Sequence, residues 1–389
     1  MINLIKSTFY KESKTKKELS KFILRSKKLS MDKECKKFEK NFSKKQKRKY
    51  SLFVSSGSAA NLVLLQALLN LGWIKKGDNI GISAITWATN VMPVIQLGLN
   101  PVVLDCELEN LNISSEILIN KLKTVKLKAL FITNVLGFSA DLDKITNICN
   151  EKGIILLEDN CESLGSKLKN KLLGNFGIAS TFSSFVGHHF STIEGGLICT
   201  DNKQLYEMIL MVREHGWDRR LAVENRKRLR KKYKVNNFFA KYTFYDLAYN
   251  ARPTEIQAFI GNQQLKYWNE ITTKREKNFF NFLEAIKDNP DIFKIKINHL
   301  NLVSNFAMPL IFKKHSLFKK YLKKFQKANV EVRPIVAGDI TRQPFFKKYI
   351  KEKQDCPQAF FVNNHGFYFG NNPEMSEKEV DFLCNLLKK

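Results

Sequence analysis

Between about residues 50 and 200, short apolar runs alternate with stretches whose apolar positions recur at helical spacing. Ser51-Leu52-Phe53-Val54-Ser55 precedes a helix-like stretch over 58–71, and Asn79-Ile80-Gly81-Ile82-Ser83 precedes another that continues through Ile95. Residues 101–105, 129–133 and 154–158 keep the rhythm, the last following a helix-like stretch over 141–151. Runs this short suit strands, and helices between them imply crossover connections. The pattern predicts an α/β fold, a mostly parallel sheet with helices on both faces.

The rhythm breaks over 214–249. There Arg226-Lys227-Arg228-Leu229-Arg230-Lys231-Lys232-Tyr233-Lys234 reads as a solvated face on an exposed excursion. A helix over 254–265 follows. Beyond about residue 268 the spacing predicts helix (274–286), strand (302–312), helix (317–328), a short strand and a closing helix (377–387). The chain thus divides into a large α/β unit over 1–267 and a smaller α+β unit over 268–389, with no repeat or low-complexity tract in either.

Composition narrows the class. Across 389 residues, 44% hydrophobic and 12% aromatic content exceeds what a disordered or fibrous chain carries. No run approaches the roughly 20 apolar residues that span a bilayer, and Met1-Ile2-Asn3-Leu4-Ile5-Lys6 opens without a signal-peptide core. A cytoplasmic chain is expected. Cys35, Cys106, Cys149, Cys161, Cys199, Cys356 and Cys384 are odd in number and scattered, with no CxxC or CxC spacing. That argues against disulfides, a zinc site and an iron-sulfur cluster. The net charge of +28 attracts polyanions in principle, yet the lysines run through the whole chain beside abundant Asn, Ile and Phe. They read as a compositional bias, so neither nucleic acid nor membrane is an expected partner.

The chain has neither a P-loop nor GxGxxG, which disfavours NTPase and dinucleotide chemistry. Ser55-Ser56-Gly57-Ser58-Ala59-Ala60-Asn61 lies where a strand gives way to a helix, and small residues there expose backbone N–H groups at a positive helix end. That is an anion cradle, with an ordinary turn as the alternative. Asp159 follows an apolar run, which puts its carboxylate at the carboxyl edge of a parallel strand, where open α/β sheets bind ligands. An acid there holds a ring nitrogen protonated or caps the next turn. Glu162, three residues on, is placed to share the pocket. Trp87 lies near the same edge and suits either stacking on a flat ring or the core.

The densest group is Thr181-Phe182-Ser183-Ser184-Phe185-Val186-Gly187-His188-His189-Phe190-Ser191-Thr192-Ile193-Glu194-Gly195-Gly196. Adjacent histidines on an extended segment point to opposite sides, which disfavours a shared metal ion. One of them can still face a cleft as a proton carrier.

Taken together, these segments resemble the sugar-aminotransferase family of vitamin B6 enzymes over nearly the whole chain. The resemblance implies the aspartate-aminotransferase type fold (fold type I), with pyridoxal 5′-phosphate or its pyridoxamine form as cofactor. It implies that Gly57, Ser58 and Ala59, with Ser183, hold the cofactor phosphate. Trp87 would stack on the ring, and Asp159, followed by Glu162, would attend the pyridine nitrogen. Tyr249-Asn250-Ala251-Arg252 resembles a segment that reaches into a partner's site. Asn250 would then touch the neighbour's cofactor, Arg252 would touch substrate, and the active unit would be a homodimer. His215, in Arg213-Glu214-His215-Gly216-Trp217, would line the sugar pocket, with ordinary loop packing as the alternative.

One position departs from the family. Where its members carry the lysine that tethers the cofactor, six residues before the Glu of Glu-Gly-Gly, this chain has His188, and no lysine occurs between Leu172 and Asn202. An imidazole keeps a proton carrier and loses the covalent anchor. That change, with Glu158-Asp159-Asn160-Cys161-Glu162-Ser163 ahead of it, resembles the sugar-nucleotide 3-dehydratases. The implied reaction removes the C3 hydroxyl of a nucleotide-linked 4-keto-6-deoxyhexose, a GDP-linked deoxymannose ketone foremost, in 3,6-dideoxysugar synthesis for lipopolysaccharide. L-glutamate would supply the amino group and ammonia would be released, with His188 and Asp159 as the catalytic pair. A sugar-nucleotide 4-aminotransferase that tolerates His, and a non-catalytic binding protein on the same fold, are the alternatives.

Overall fold

The structure, a computed structural model, describes residues 1–388. Seven strands form the central sheet: β1 (Tyr50–Val54), β2 (Asn79–Ser83), β3 (Asn100–Leu104), β4 (Ala129–Thr133), β5 (Ile155–Asp159), β6 (Ala179–Ser183) and β7 (Gly196–Thr200). Their order is β1-β7-β6-β5-β4-β2-β3. Neighbours from β6 to β3 run parallel, and β7 alone runs against both its neighbours. Every residue of β4 and β7 is buried, as expected of strands covered on both faces.

Helices α1 (Glu12–Arg25) and α2 (Lys33–Gln46) precede the sheet and fall outside the sequence reading. On α2 the residues Cys35, Phe38, Phe42 and Gln46 are buried at three- and four-residue spacing, so a lysine-rich segment hides a narrow apolar stripe. Helix α3 (Gly57–Asn70) is apolar almost all round and accordingly buried, between the sheet and α7 (Lys203–Arg213). Helices α4 (Ala88–Gln96), α5 (Ser115–Leu122) and α6 (Leu142–Lys152) make the other crossovers. The excursion contains α8 (Val223–Lys232), which buries none of its residues, and the chain returns through α9 (Glu255–Gln264).

After α10 (Trp268–Ile286), strands β8 (Ala307–Ile311), β9 (Val332–Pro334) and β10 (Gly366–Gly370) form a separate antiparallel sheet in the order β8-β10-β9, beside α11 (His315–Lys327). The closing helix, Glu377–Leu387, starts on a capping box of Ser376 and Glu379. The chain's first residues lie against this C-terminal sheet. Ile2 N–H donates to Asn329 O (3.0 Å), Glu331 N–H donates to Ile2 O (2.9 Å), and Leu4 N–H donates to Glu331 Oε2 (2.9 Å). Among the described residues no helix is long and apolar enough to cross a membrane.

Candidate active site

A cavity of about 310 Å³ opens at the carboxyl edge of the large sheet. Asp159, the last residue of β5, lines it, in register with Thr133 on β4 and Thr181 on β6. The carboxylate is 4% exposed and aimed by two donors. Asn61 Nδ2 donates to Oδ2 (2.9 Å) and the Cys161 N–H donates to Oδ1 (3.1 Å). Asn61 sits one turn into α3, and its own Oδ1 is buried with no donor.

The start of α3 forms the cradle expected from sequence. Ser56 caps the helix, its Oγ accepting the Ala59 N–H (3.0 Å), which leaves the N–H groups of Gly57 and Ser58 without intrahelical acceptors. Ser183 stands beside them for a topological reason. Val54 at the end of β1 and Ser183 at the end of β6 both pair with Gly196 on the antiparallel strand between them. A Cβ on Gly57 would lie 2.7 Å from Ser183 Cβ and 3.3 Å from Cys161 Sγ, and one on Gly196 would overlap the Ser56 carbonyl. The glycine pair after Glu194 is therefore required by close approach at Gly196. Ser58 Oγ donates to Thr89 Oγ1 (3.2 Å), and Trp87, the N-cap of α4, is 59% exposed while lining the cavity.

The two histidines do not sit on an extended segment. Residues between Ser183 and Gly196 close the β6–β7 connection as a turned loop, with His188 N–H donating to Phe185 O (2.9 Å) and Val186 N–H to Ile193 O (3.2 Å). β6 ends at its pairing with Gly196, so the loop has no strand partner and satisfies its own backbone. The side chains nonetheless diverge. His188 lines the cavity, whereas His189 is buried with Nε2 at 2.9 Å from Ser304 O. Burial first, and the charge of Arg275 second, push the His188 imidazole down to about 4 against a small opposing pull from the Cys161 backbone. It is neutral at neutral pH. Among the described residues, no lysine lines this cavity.

Glu162 also lines the cavity, its Oε2 accepting the Leu136 N–H (2.9 Å). Burial and, more weakly, the neighbouring Asp159 push its carboxyl up to about 7, against the pull of that hydrogen bond. The carboxyl can therefore hold a proton near neutrality.

Gly57, Ser58, Trp87, Asp159, Glu162, Ser183 and His188 thus come together around one space. Ala59 does not line it, and its N–H is taken by the cap. Asn250, Arg252 and His215 do not line it either. They group elsewhere: Arg252 Nε donates to Asn250 Oδ1 (2.9 Å), Arg252 Nη1 lies 3.6 Å from Glu214 Oε1, and His215, at φ +58°, donates its N–H to Tyr249 O.

Several lining residues escape the sequence reading. Arg275, 4% exposed on α10, donates through Nη1 to Phe306 O (2.9 Å) and through Nη2 to His188 O (3.4 Å). Burial pushes its guanidinium down to about 9. Its signal was present, since Ile271, Arg275, Phe279 and Phe282 share one helical stripe, and a charge on an apolar stripe calls for buried hydrogen-bond partners. Asn61 offers a comparable signal, a polar residue on an apolar helix. Leu4, Ile5, Phe306, Arg333 and Tyr368 offer none, because they reach the cavity from the chain start and the C-terminal sheet.

A parallel sheet with one reversed strand, a helix-end cradle beside it and an acid at a central strand end define the aspartate-aminotransferase type of vitamin B6 enzyme. The chain belongs to the DegT/DnrJ/EryC1/StrS aminotransferase family, whose profile matches residues 11–388. It is 36% identical over 372 residues to the GDP-4-keto-6-deoxy-D-mannose 3-dehydratase of Escherichia coli O55:H7, covering 94% of this chain and 95% of that one. It is 35% identical over 377 residues to the enzyme of the same name from Yersinia pseudotuberculosis, covering 94% of each. Among solved structures, a GDP-4-keto-6-deoxymannose-3-dehydratase H188N mutant with bound GDP-perosamine superposes with a TM-score of 0.90 at 33% identity, covering all of both chains.

The residues present fit the cofactor of this fold. The two free N–H groups of α3 and Ser183 Oγ suit a phosphate, and a side chain at Gly57 would fill that cradle. Asp159 suits a protonated ring nitrogen, and Trp87 suits a ring face.

Proposed function

We propose that this chain is a sugar-nucleotide 3-dehydratase working with pyridoxamine 5′-phosphate on a GDP-linked 4-keto-6-deoxymannose. It would remove the C3 hydroxyl with L-glutamate as amino donor. The observation that carries the reading is that His188 and Asp159 line one cavity into which, among the described residues, no lysine reaches. The relatives' reaction supports the substrate class.

Bound, the cofactor supplies an amine for the sugar ketone and an electron-accepting ring. The chain supplies the rest. Gly57 and Ser58 N–H groups and Ser183 Oγ hold the phosphate through charge-assisted hydrogen bonds. Asp159, itself fixed by Asn61 and the Cys161 N–H, keeps the ring nitrogen protonated. Trp87 covers one ring face. The neutral His188 imidazole would take a proton from the carbon that bears the cofactor's amine and would pass it to the departing C3 hydroxyl, which leaves as water. No amine stands ready to return that proton or to recapture the cofactor, so elimination proceeds where an aminotransferase would stop at an amino sugar. Overall, glutamate is oxidised to 2-oxoglutarate with release of ammonia, and the sugar gains a methylene at C3.

The unit would be a homodimer, in which Asn250 and Arg252 enter the partner's site and His215 contributes to the sugar pocket; their grouping away from their own cavity supports this. Residues 1–267 would form the cofactor-holding unit and 268–389 the smaller one. The odd number and scattered spacing of the seven cysteines support a reducing, cytoplasmic setting.

Incubation with pyridoxal phosphate, L-glutamate and GDP-4-keto-6-deoxymannose should release ammonia and yield a sugar lacking the C3 oxygen. A stable 4-amino sugar would overturn the reading. Borohydride should trap no cofactor on the native chain and should trap it on His188→Lys.

A further inference from the structure

Arg213 and Arg275 are both buried, and they meet the cost of that burial differently. Arg213 pairs with Glu39. Arg275 has no carboxylate at ion-pair distance among the described residues, and its hydrogen bonds all go to main-chain carbonyls. Nη1 donates to Asn305 O (3.3 Å), Phe306 O (2.9 Å) and Asn371 O, and Nη2 donates to His188 O (3.4 Å). Lowered only to about 9, the guanidinium still carries its charge at neutral pH.

Those carbonyls come from separate parts of the chain, which gives the fork a mechanical task. Asn305 and Phe306 lead into β8, Asn371 follows β10, and His188 lies in the β6–β7 loop. Asn371 Nδ2 returns a bond to Arg275 O (2.8 Å), so the helix is held as well as holding. The His188 ring packs against Phe306, with ring centres 5.3 Å apart, and His189 holds Ser304 O. One side chain therefore grips both the loop that carries the imidazole and the segment on which it leans.

We propose that Arg275 is the positioning residue for His188, fixing where the imidazole stands and opposing retention of a proton on it. The assignment rests on the role proposed for His188 above. In that role an N–H bond forms as the C–H bond breaks, and it breaks again as the O–H bond to the departing hydroxyl forms. A fixed positive charge beside the ring disfavours the imidazolium between the two transfers. Other titratable groups stand near: Asp159, Cys161 and Glu162 after β5, His189 and Glu194 on the same loop, and Arg333 and Tyr368 on the C-terminal sheet. Arg333 is answered by Glu331 (2.7 Å), whereas Arg275 is the charge that weighs most on His188, second only to burial.

The test titrates the histidine rings by NMR in the cofactor-loaded full-length chain, with His188 identified by its loss in His188→Asn. Arg275→Met should raise the His188 midpoint by about one unit, and the acid limb of kcat/KM should move with it. Arg275→Lys keeps the charge and loses the fork. It should leave the midpoint within about 0.3 unit while kcat falls about tenfold and KM stays within about twofold. An unmoved midpoint in Arg275→Met overturns the assignment, as does native kcat in Arg275→Lys. Should the methionine variant not fold, the lysine variant decides alone, and a midpoint that rises in it overturns the electrostatic role. If the midpoints behave as stated while no keto sugar is dehydrated, the proposed reaction falls and the coupling of Arg275 to His188 stands.

Discussion

The cofactor cavity and the basic cleft of the 217–247 excursion gather positive groups by opposite means. In the cavity the positive ends are backbone N–H groups at the start of a buried helix, and each nearby side chain is fixed by another: Asp159 by Asn61, the His188 loop by Arg275. In the basic cleft of the 217–247 excursion, Arg226 and Arg230 stand on a helix that buries nothing, with Arg219 before it and Lys241 after it. Burial makes the first region a place where protonation is set by the protein, with a neutral imidazole and a carboxyl that titrates near 7. Exposure makes the second a place where attraction is screened by salt.

Four measurements can break or sharpen that contrast. The largest effect belongs to His188→Asn, which should lower turnover by about a thousandfold, within the range of removing a general base, while cofactor binding followed by absorbance persists. Retained turnover would remove the imidazole from the mechanism. Next, Gly57→Val should weaken pyridoxal phosphate binding by about tenfold or more, since a charge-assisted contact of this kind is worth roughly that factor and the added side chain meets Ser183 at once. An unchanged affinity would place the phosphate elsewhere.

Glu162→Gln tests burial through pH. Folding raises this carboxyl, so the folded cofactor-free chain binds the proton more tightly than the unfolded one. That contribution is complete below the ordinary glutamate value of 4.5 and disappears as pH rises through about 7. Urea midpoints should show the native chain losing on the order of 1 to 2 kcal/mol relative to Glu162→Gln between pH 4.5 and 8, with partial exposure allowed for. Parallel pH curves would contradict the raised carboxyl. The smallest effect is salt. Moving from low to moderately high ionic strength should weaken GDP binding severalfold and leave cofactor affinity within about twofold; equal sensitivity would erase the distinction.

Much of this was legible in the residue pattern. The run over 129–133 coincides with β4, and the predicted strand over 79–83 with β2, because strands buried on both faces keep their polar residues to the ends of the run. The predicted strand over 302–312 shrinks to Ala307–Ile311, because the residues before it are bent away: Asn305 Nδ2 donates to Leu136 O (2.9 Å) and to its own neighbour Ala307 O. The extended reading of His188 and His189 failed for lack of a pairing strand, although their divergence survived. Helices α1 and α2 were hidden by lysines that leave only a narrow apolar stripe.

Sequence by itself settled the alternation of strand and helix, an acid at the end of a central strand, and a histidine in a segment without lysine. Each is a local property, readable within a few residues. Tertiary structure alone decided that Gly196 brings the ends of β1 and β6 together, that Arg275 on α10 reaches the His188 carbonyl, and that Leu4 and Ile5 reach the same cavity. It also gathered Arg219, Arg226 and Lys241 around one cleft. Those neighbours arise from strand order and from the way separate elements pack, and periodicity along a chain carries no information about which distant turns will meet.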